Sequence, residues 1–357
     1  MKKIITIILI VLIISVIVFI ISTSLAAAPQ VARGKTTQLA YVPPENSLPQ
    51  APTLTTLLFS GDVMLSRNVG QKMEKYNDWT WPLANIASLL SSVNLTVINL
   101  ESPFTISGNH LVNAGSFSFN ADPRSIAALK LAGIDVADLA NNHMMNQGPK
   151  GIIDTRKILS DNDISAIGAG LNAAEASRPV IKEVNGIKFG FLGFAYPADN
   201  SVAGLSTPDI AGMNTAIMAD EVNRLKNQAD VVIVMMHAGT EYANEPNKQQ
   251  IAFAHAAIDA GADLIIGHHP HWVQTTEIYK GKPILYSLGN LVFDQMWSQE
   301  TKEGSLAKTT WHNKTLQKIE LIPISIHDYG QAEIVTSTAQ RQKILKRMGL
   351  TSNVIEF

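Results

Sequence analysis

The chain reads as an α/β protein, and three observations say so. From Leu54 onward, short apolar, β-branched runs alternate with segments of helical period. Nearly every such run stops at a polar, ligand-type residue. Beyond Thr275 the helical segments give way to closely spaced strands. The composition agrees: of 357 residues, 46% are hydrophobic and 16% charged, which excludes a mostly disordered chain. There is no cysteine, so disulfide scaffolds, thiolate metal sites and thiol nucleophiles are excluded. A net charge of −2 does not point to nucleic acid as a partner.

Met1-Lys2-Lys3 precedes an apolar run from Ile4 to Ile21 that only Thr6 and Ser15 interrupt. Its length, about 27 Å as a helix, matches a bilayer core. The two lysines in front, with no further Lys or Arg before Arg33, orient the body outside the cytoplasmic membrane. An uncleaved anchor over residues 1–21 is favoured over a cleaved signal peptide. The run exceeds a usual signal core, and Pro29 would follow a cut after Ala26-Ala27-Ala28. Five prolines between Ser22 and Thr53 make residues 22–53 an extended tether.

In the body, residues 54–339, strands are expected at Thr55–Phe59, Thr96–Leu100, Ile134–Leu139, Ile187–Phe194, Asp230–Met236 and Asp263–Ile266. Helices are expected at Pro123–Ala132, Lys150–Asp161, Asn214–Gln228 and Asn247–Ala260. Glu277–Tyr279, Pro283–Tyr286, Leu316–Ile326 and Ala332–Ser337 read as further strands. Residues 340–357 form a C-terminal tail with a short basic helix.

The strand ends carry Asp62, Glu101, Asn142 with His143, His237, and then His268, His269 and His271. Ligands of open α/β sheets bind at the carboxyl ends of strands, so these groups converge on one cleft. Gly267-His268-His269-Pro270-His271 is the strongest local signal, with three of the nine histidines. His269 and His271 suit ligation from one loop; His268 is either a ligand or a group supporting the ligands from behind, and it is counted on the substrate-binding side. His237 ends a buried β-branched strand, with Glu241 and Tyr242 near enough to meet substrate. Arg67 suits a phosphate or carboxylate clamp. Asn290, with Asp294, follows the Ile284–Tyr286 strand and lines the same cleft. Imidazole with carboxylate suits one or two divalent ions of Mn, Zn or Fe. Two adjacent ions would clamp a phosphoryl group.

Taken in order, these segments resemble the CapA family, the bacterial poly-γ-glutamate capsule synthesis proteins with a metallophosphatase-like domain. They are Gly61-Asp62-Val63-Met64-Leu65, Asn99-Leu100-Glu101, Asn141-Asn142-His143, His237 to Tyr242, Gly267 to His271 and Ser287 to Gln295. The resemblance implies a four-layer α-β-β-α sandwich of the calcineurin-like phosphoesterase type. Asp62 matches its first-strand aspartate, and Glu101 stands at the bridging aspartate. Asn142 matches the ligating asparagine and His143 the proton-donating histidine beside it. His237, His269 and His271 match the remaining metal ligands. Two departures stand out: Met64 replaces the histidine usual two residues after the first aspartate, and Met144 replaces a carboxylate after Asn-His. The first metal position is therefore one ligand short.

Three functions follow as expectations. The first is a membrane-anchored, extracytoplasmic component of poly-γ-glutamate capsule biosynthesis, partnered by the polymer (or another surface polymer) and by capsule membrane subunits. The second is a surface metal-dependent phosphoesterase. The third is a non-catalytic polymer-binding scaffold. Near-neutral charge requires that a local cluster around Arg67 or a bound cation attract any polyanion.

Overall fold

The structure, a computed structural model, describes residues 54–106, 108, 110, 116–196 and 207–357. The expected anchor over 1–21 and tether over 22–53 lie outside the described residues. Among the described residues no helix is long and apolar enough to cross a membrane.

β1 (Leu54–Val63), β2 (Leu95–Leu100), β3 (Val136–Asp138) and β4 (Ser165–Ile167) pair in parallel. Helices Arg67–Tyr76, Ile126–Leu131 and Gly148–Ser160 lie in the connections between them. β5 (Ala169–Gly170) leads to the hairpin of β6 (Val180–Val184) and β7 (Ile187–Ala195). Its turn, Asn185-Gly186, has positive φ at both residues, as a two-residue hairpin turn requires. β8 (Asp209–Ile210) returns to pair with β5. β9 (Val231–His237) and β10 (Leu264–His268) run parallel to β7 and to each other. The intervening helices are Thr215–Leu225, capped by Asn214, and Lys248–Ala260, capped by an Asn247/Gln250 box. The hairpin of β11 (Thr276–Tyr279) and β12 (Lys282–Leu285) sets β12 parallel beside β10.

The chain then crosses back. β13 (Asn290–Val292) pairs with the end of β1. β14 (Glu303–His312), β15 (Thr315–His327), β16 (Gln331–Ile334) and β17 (Val354–Glu356) extend the first sheet in antiparallel fashion. The first sheet thus runs β16-β15-β14-β1-β2-β3-β4, and the second β11-β12-β10-β9-β7-β6.

Side-chain alternation along the strands sorts the apolar residues into layers. Leu57 and Phe59 of β1 and Val97 of β2 pack with Phe189, Phe191, Ile233, Met235 and Ile266 of the second sheet. Leu58 and Ile98 face the other way, onto Val69, Met73, Leu129 and Ile152 of the first sheet's helices. Phe194, Val232 and Val234 pack outward on Met218, Val222, Phe253 and Ala257. The order is helix, sheet, sheet, helix.

Three differences from the sequence reading have physical causes. Helix Arg67–Tyr76, which starts a few residues after the first strand, is missing from the sequence reading because only Val69, Gly70 and Met73, beside Arg67, make its buried face and the rest is polar. β14 lacks an apolar pattern, and its burial falls on Glu303, Ser305 and Thr309 as much as on Leu306 and Trp311. The expected boundary at residue 340 falls inside helix Thr338–Arg347. That helix buries Ile344 and Leu345 in the inter-sheet core, and β17 then pairs with β15, so the tail is part of the body.

Gly61 allows the close approach of β1 to the loop before β13: a Cβ there would lie 1.9 Å from the Gly289 carbonyl oxygen. Gly61→Ala is expected to cost about 1–3 kcal/mol, the range for overpacking a tight contact, measured by urea unfolding. A stability equal to wild type would show that the two segments separate freely.

Candidate metal centre

The carboxyl ends of β1, β2, β9 and β10 meet above the inter-sheet core, and the polar residues of the cleft sit there. β1 and β2 are registered so that Asp62 pairs with Asn99. β9 and β10 are registered so that His237 pairs with His268. Asp62, Glu101 and His237 are buried, and one ligand atom from each lies within 4.8 Å of the others.

Glu101 is the focus. It is fully buried, and neither carboxylate oxygen has a hydrogen-bond partner. Its Oε1 lies 3.8 Å from His143 Nε2, 3.9 Å from His271 Nε2 and 4.0 Å from His237 Nε2. Burial, then the carboxylates of Asp62 and Glu241, push its pKa well above the ordinary carboxylate range. Asp62 behaves oppositely. Burial works against its charge, yet the hydrogen bond from His271 and the surrounding imidazoles hold its carboxyl below the usual range.

Three of the imidazoles, those of His237, His269 and His143, are kept neutral. Burial, then the neighbouring His269, pushes His237 well below its ordinary value. Burial, then His271, pushes His269 down to about 4, and burial takes His143 to about 4. Their hydrogen bonds also aim them. Asn290 donates through Nδ2 to the Thr301 carbonyl, so its Oδ1 accepts from His271 Nδ1 at 3.0 Å, which leaves His271 Nε2 toward Glu101. Asn146 Oδ1 accepts from the Phe119 amide and lies 3.0 Å from His143 Nδ1. His143 therefore carries its proton on Nδ1, and Nε2 is free on the Glu101 side. Its ring stacks on Phe119 at 3.9 Å. His237 Nε2 lies 2.9 Å from Asn142 Oδ1, and His269 packs on His237 with centroids 4.9 Å apart and its Nδ1 buried without a partner.

A neutral imidazole and a carboxylate are the protonation states that bind a divalent cation. An orphaned, fully buried carboxylate among three imidazole nitrogens is what such an ion would satisfy. The residues fit a divalent metal.

Positive φ marks the same region. Arg67 (φ 48), Tyr242 (φ 62), His269 (φ 97) and His271 (φ 58) all adopt a conformation rare for residues other than glycine. The backbone is bent to aim these side chains.

Known proteins share this arrangement of segments. Residues 56–295 match the model of a family described as "Bacterial capsule synthesis protein PGA_cap". The chain belongs to the PGA_cap family. It is 32% identical over 301 residues to "Capsule biosynthesis protein CapA" of Bacillus anthracis, covering 82% of this chain and 72% of that protein. It is 30% identical over 297 residues to "PGA biosynthesis protein CapA" of Bacillus subtilis (strain 168), covering 83% and 78%. Among solved structures it is similar to a hypothetical protein from Thermus thermophilus, with TM-score 0.49, 16% identity and coverage of 76% and 100%. It is also similar to the NAD nucleotidase NadN of Haemophilus influenzae, with TM-score 0.45, 12% identity and coverage of 84% and 63%.

In this PGA_cap chain several of the expected residues have protein partners of their own. His268, expected to be a ligand or to meet substrate, is fully buried, and its Nε2–H donates to the Ser60 carbonyl at 2.9 Å, tying β10 to β1. Arg67, expected to clamp an anion, has its guanidinium ion-paired to Asp294. It also donates to the Ser116 carbonyl at 3.2 Å and lies over the Phe119 ring at 4.8 Å. Asn290, expected to touch substrate, is buried and orients His271. Tyr242 stays half-buried beside His271, its hydroxyl accepting from Gln295 Nε2 at 3.2 Å, and Glu241 is exposed next to it. Met64 is buried, and its sulfur accepts from the Ser66 amide, so it offers nothing toward Asp62.

Two residues of the site are given no role in the sequence reading. Asn99 lies two positions before Glu101 on the same strand face, a period-2 signal that points to it. Asp138 ends β3 in register with Asn99. It is fully buried, with Oδ1 accepting from the Ala140 amide at 2.9 Å and Oδ2 unpartnered. It lies where a Cβ on Gly193 would come within 2.1 Å of its Oδ1.

Burial raises the Asp138 carboxyl to about 8. Because the folded value exceeds the unfolded one, the neutral acid's contribution is complete below about pH 4. It is lost as pH rises through 8. Asp138→Asn removes this titration. Its melting temperature relative to wild type is expected to climb by a few degrees between pH 5 and pH 8, followed by calorimetry. A constant offset across that range would contradict the assignment.

Proposed function

We propose that the protein is a membrane-anchored, extracytoplasmic component of poly-γ-glutamate capsule biosynthesis, working through a divalent metal centre. The observation that carries this reading is that the family match over residues 56–295 encloses every residue of the cleft. Its partners are the polymer and the capsule membrane subunits, and residues 1–21 are its anchor.

Glu101, Asn142, His237 and His269 would hold one ion, of Mn, Zn or Fe. Asp62 and His271 would offer a second, weaker position, short of a ligand because Met64 stands where a histidine would complete it. A bound ion supplies Lewis-acid polarisation of a substrate oxygen. The remaining work belongs to side chains. His143 takes up and returns a proton at Nε2, an atom that its Nδ1 bond to Asn146 leaves free. Phe119 keeps that ring fixed and dry. Tyr242 and Glu241 flank the opening and meet the substrate, while Arg67 and Asp294 brace the wall rather than bind it.

The test is complementation of a strain lacking the gene, scored by surface poly-γ-glutamate. Wild type restores the polymer. Glu101→Gln, made at equal protein level, is expected to restore less than about one-tenth, since losing a ligand held by a buried site removes most function. Full restoration by Glu101→Gln would favour a scaffold that needs no metal. Turnover of simple phosphate esters with no effect on the polymer would favour a plain phosphoesterase.

A further inference from the structure

The donors of the cleft come from two different sheets: Asp62 and Glu101 from the first, His237, His269 and His271 from the second and the loop after it. A cation site built this way depends on what holds the two sheet edges at a fixed separation. Apolar packing between the sheets sets it only loosely at this height, because the last inter-sheet positions are polar or glycine: Asp138, Gly193, Asn99 and His237.

Asn99 spans the gap. It is fully buried. Its Nδ2 donates to Asp62 Oδ1 at 2.7 Å and lies 3.3 Å from His237 Nδ1. Its Oδ1 accepts from Asn141 Nδ2 at 3.3 Å, and that same amide donates to the Leu100 carbonyl at 2.9 Å. The orientation of the Asn99 amide is therefore fixed from both ends. Its oxygen faces the donor on Asn141 and its NH2 faces Asp62. Turning it over would set two oxygens against each other at Asp62.

One side chain thus touches a first-sheet carboxylate, a second-sheet imidazole and the loop that carries Asn142 and His143. It also occupies Asp62 Oδ1, so that Oδ2 is the oxygen turned to His271, at 3.3 Å.

We infer that Asn99 is a positioning residue for a divalent cation. It sets the distance between the ligand groups of the two sheets and selects which oxygen of Asp62 is offered. This rests on the metal reading above and deepens it. Partners that orient metal ligands without touching the ion typically contribute about 10–100-fold in affinity.

The test is calorimetric titration of Mn2+ and Zn2+ into the full chain, as wild type, Asn99→Ala and Asn99→Ser, beside the melting temperature of each metal-free protein. Serine retains a polar group but cannot reach both Asp62 and His237. The expected result is affinity reduced at least about 10-fold in both variants, with a larger loss than any fall in melting temperature explains. Wild-type affinity in a folded Asn99→Ser, with only its melting temperature lowered, would overturn the inference and leave Asn99 a structural residue. No binding of either ion to wild type would overturn the metal reading itself, and the positioning role with it. If Asn99→Ala does not fold, the serine variant decides.

Discussion

Glu101 is a fully buried carboxylate that no donor side chain or backbone amide satisfies, and the rest of the site is arranged around that fact. An unpaired buried charge carries a penalty of several kcal/mol. The protein meets the problem by raising the group's pKa through burial and by surrounding it with imidazole nitrogens at 3.8 to 4.0 Å. Those distances are too long for good hydrogen bonds and leave room for an ion between them. Everything that fixes the surroundings follows from this: Asn290 behind His271, Asn146 behind His143, Asn99 behind Asp62 and His237.

Much of this is legible in the sequence, because the hydrophobic runs of β2, β9 and β10 mark where each strand stops. A polar residue at the end of a buried strand has few places to go except the cleft. Asp62, Glu101, His143, His237, His269 and His271 follow this rule and lie together. What each side chain pairs with is not legible. His268 and His269 are adjacent and chemically identical, yet one faces the Ser60 backbone and the other packs on His237. His268 is the last residue of β10, whereas His269 leaves the strand with a φ of 97°. Arg67 has an acidic partner 227 positions away, beyond any local pattern. β14 leaves no sequence signal because a strand buried by neighbours on both sides does not need an apolar alternation of its own.

Acidic groups outnumber basic ones around the cleft. Asp62, Glu101, Glu241 and Asp294 stand around the cleft against one arginine, and that arginine is already paired with Asp294.

An ion beside Glu101 is the central requirement of the proposed site. The direct measurement is anomalous X-ray diffraction from crystals grown with Mn2+ or Zn2+, recorded on both sides of the metal's absorption edge. The account predicts an anomalous peak within bonding distance of a Glu101 carboxylate oxygen and of His237, with any second peak, beside Asp62 and His271, at lower occupancy. A well-ordered cleft without a peak, its Glu101 instead hydrogen-bonded to water, would contradict it.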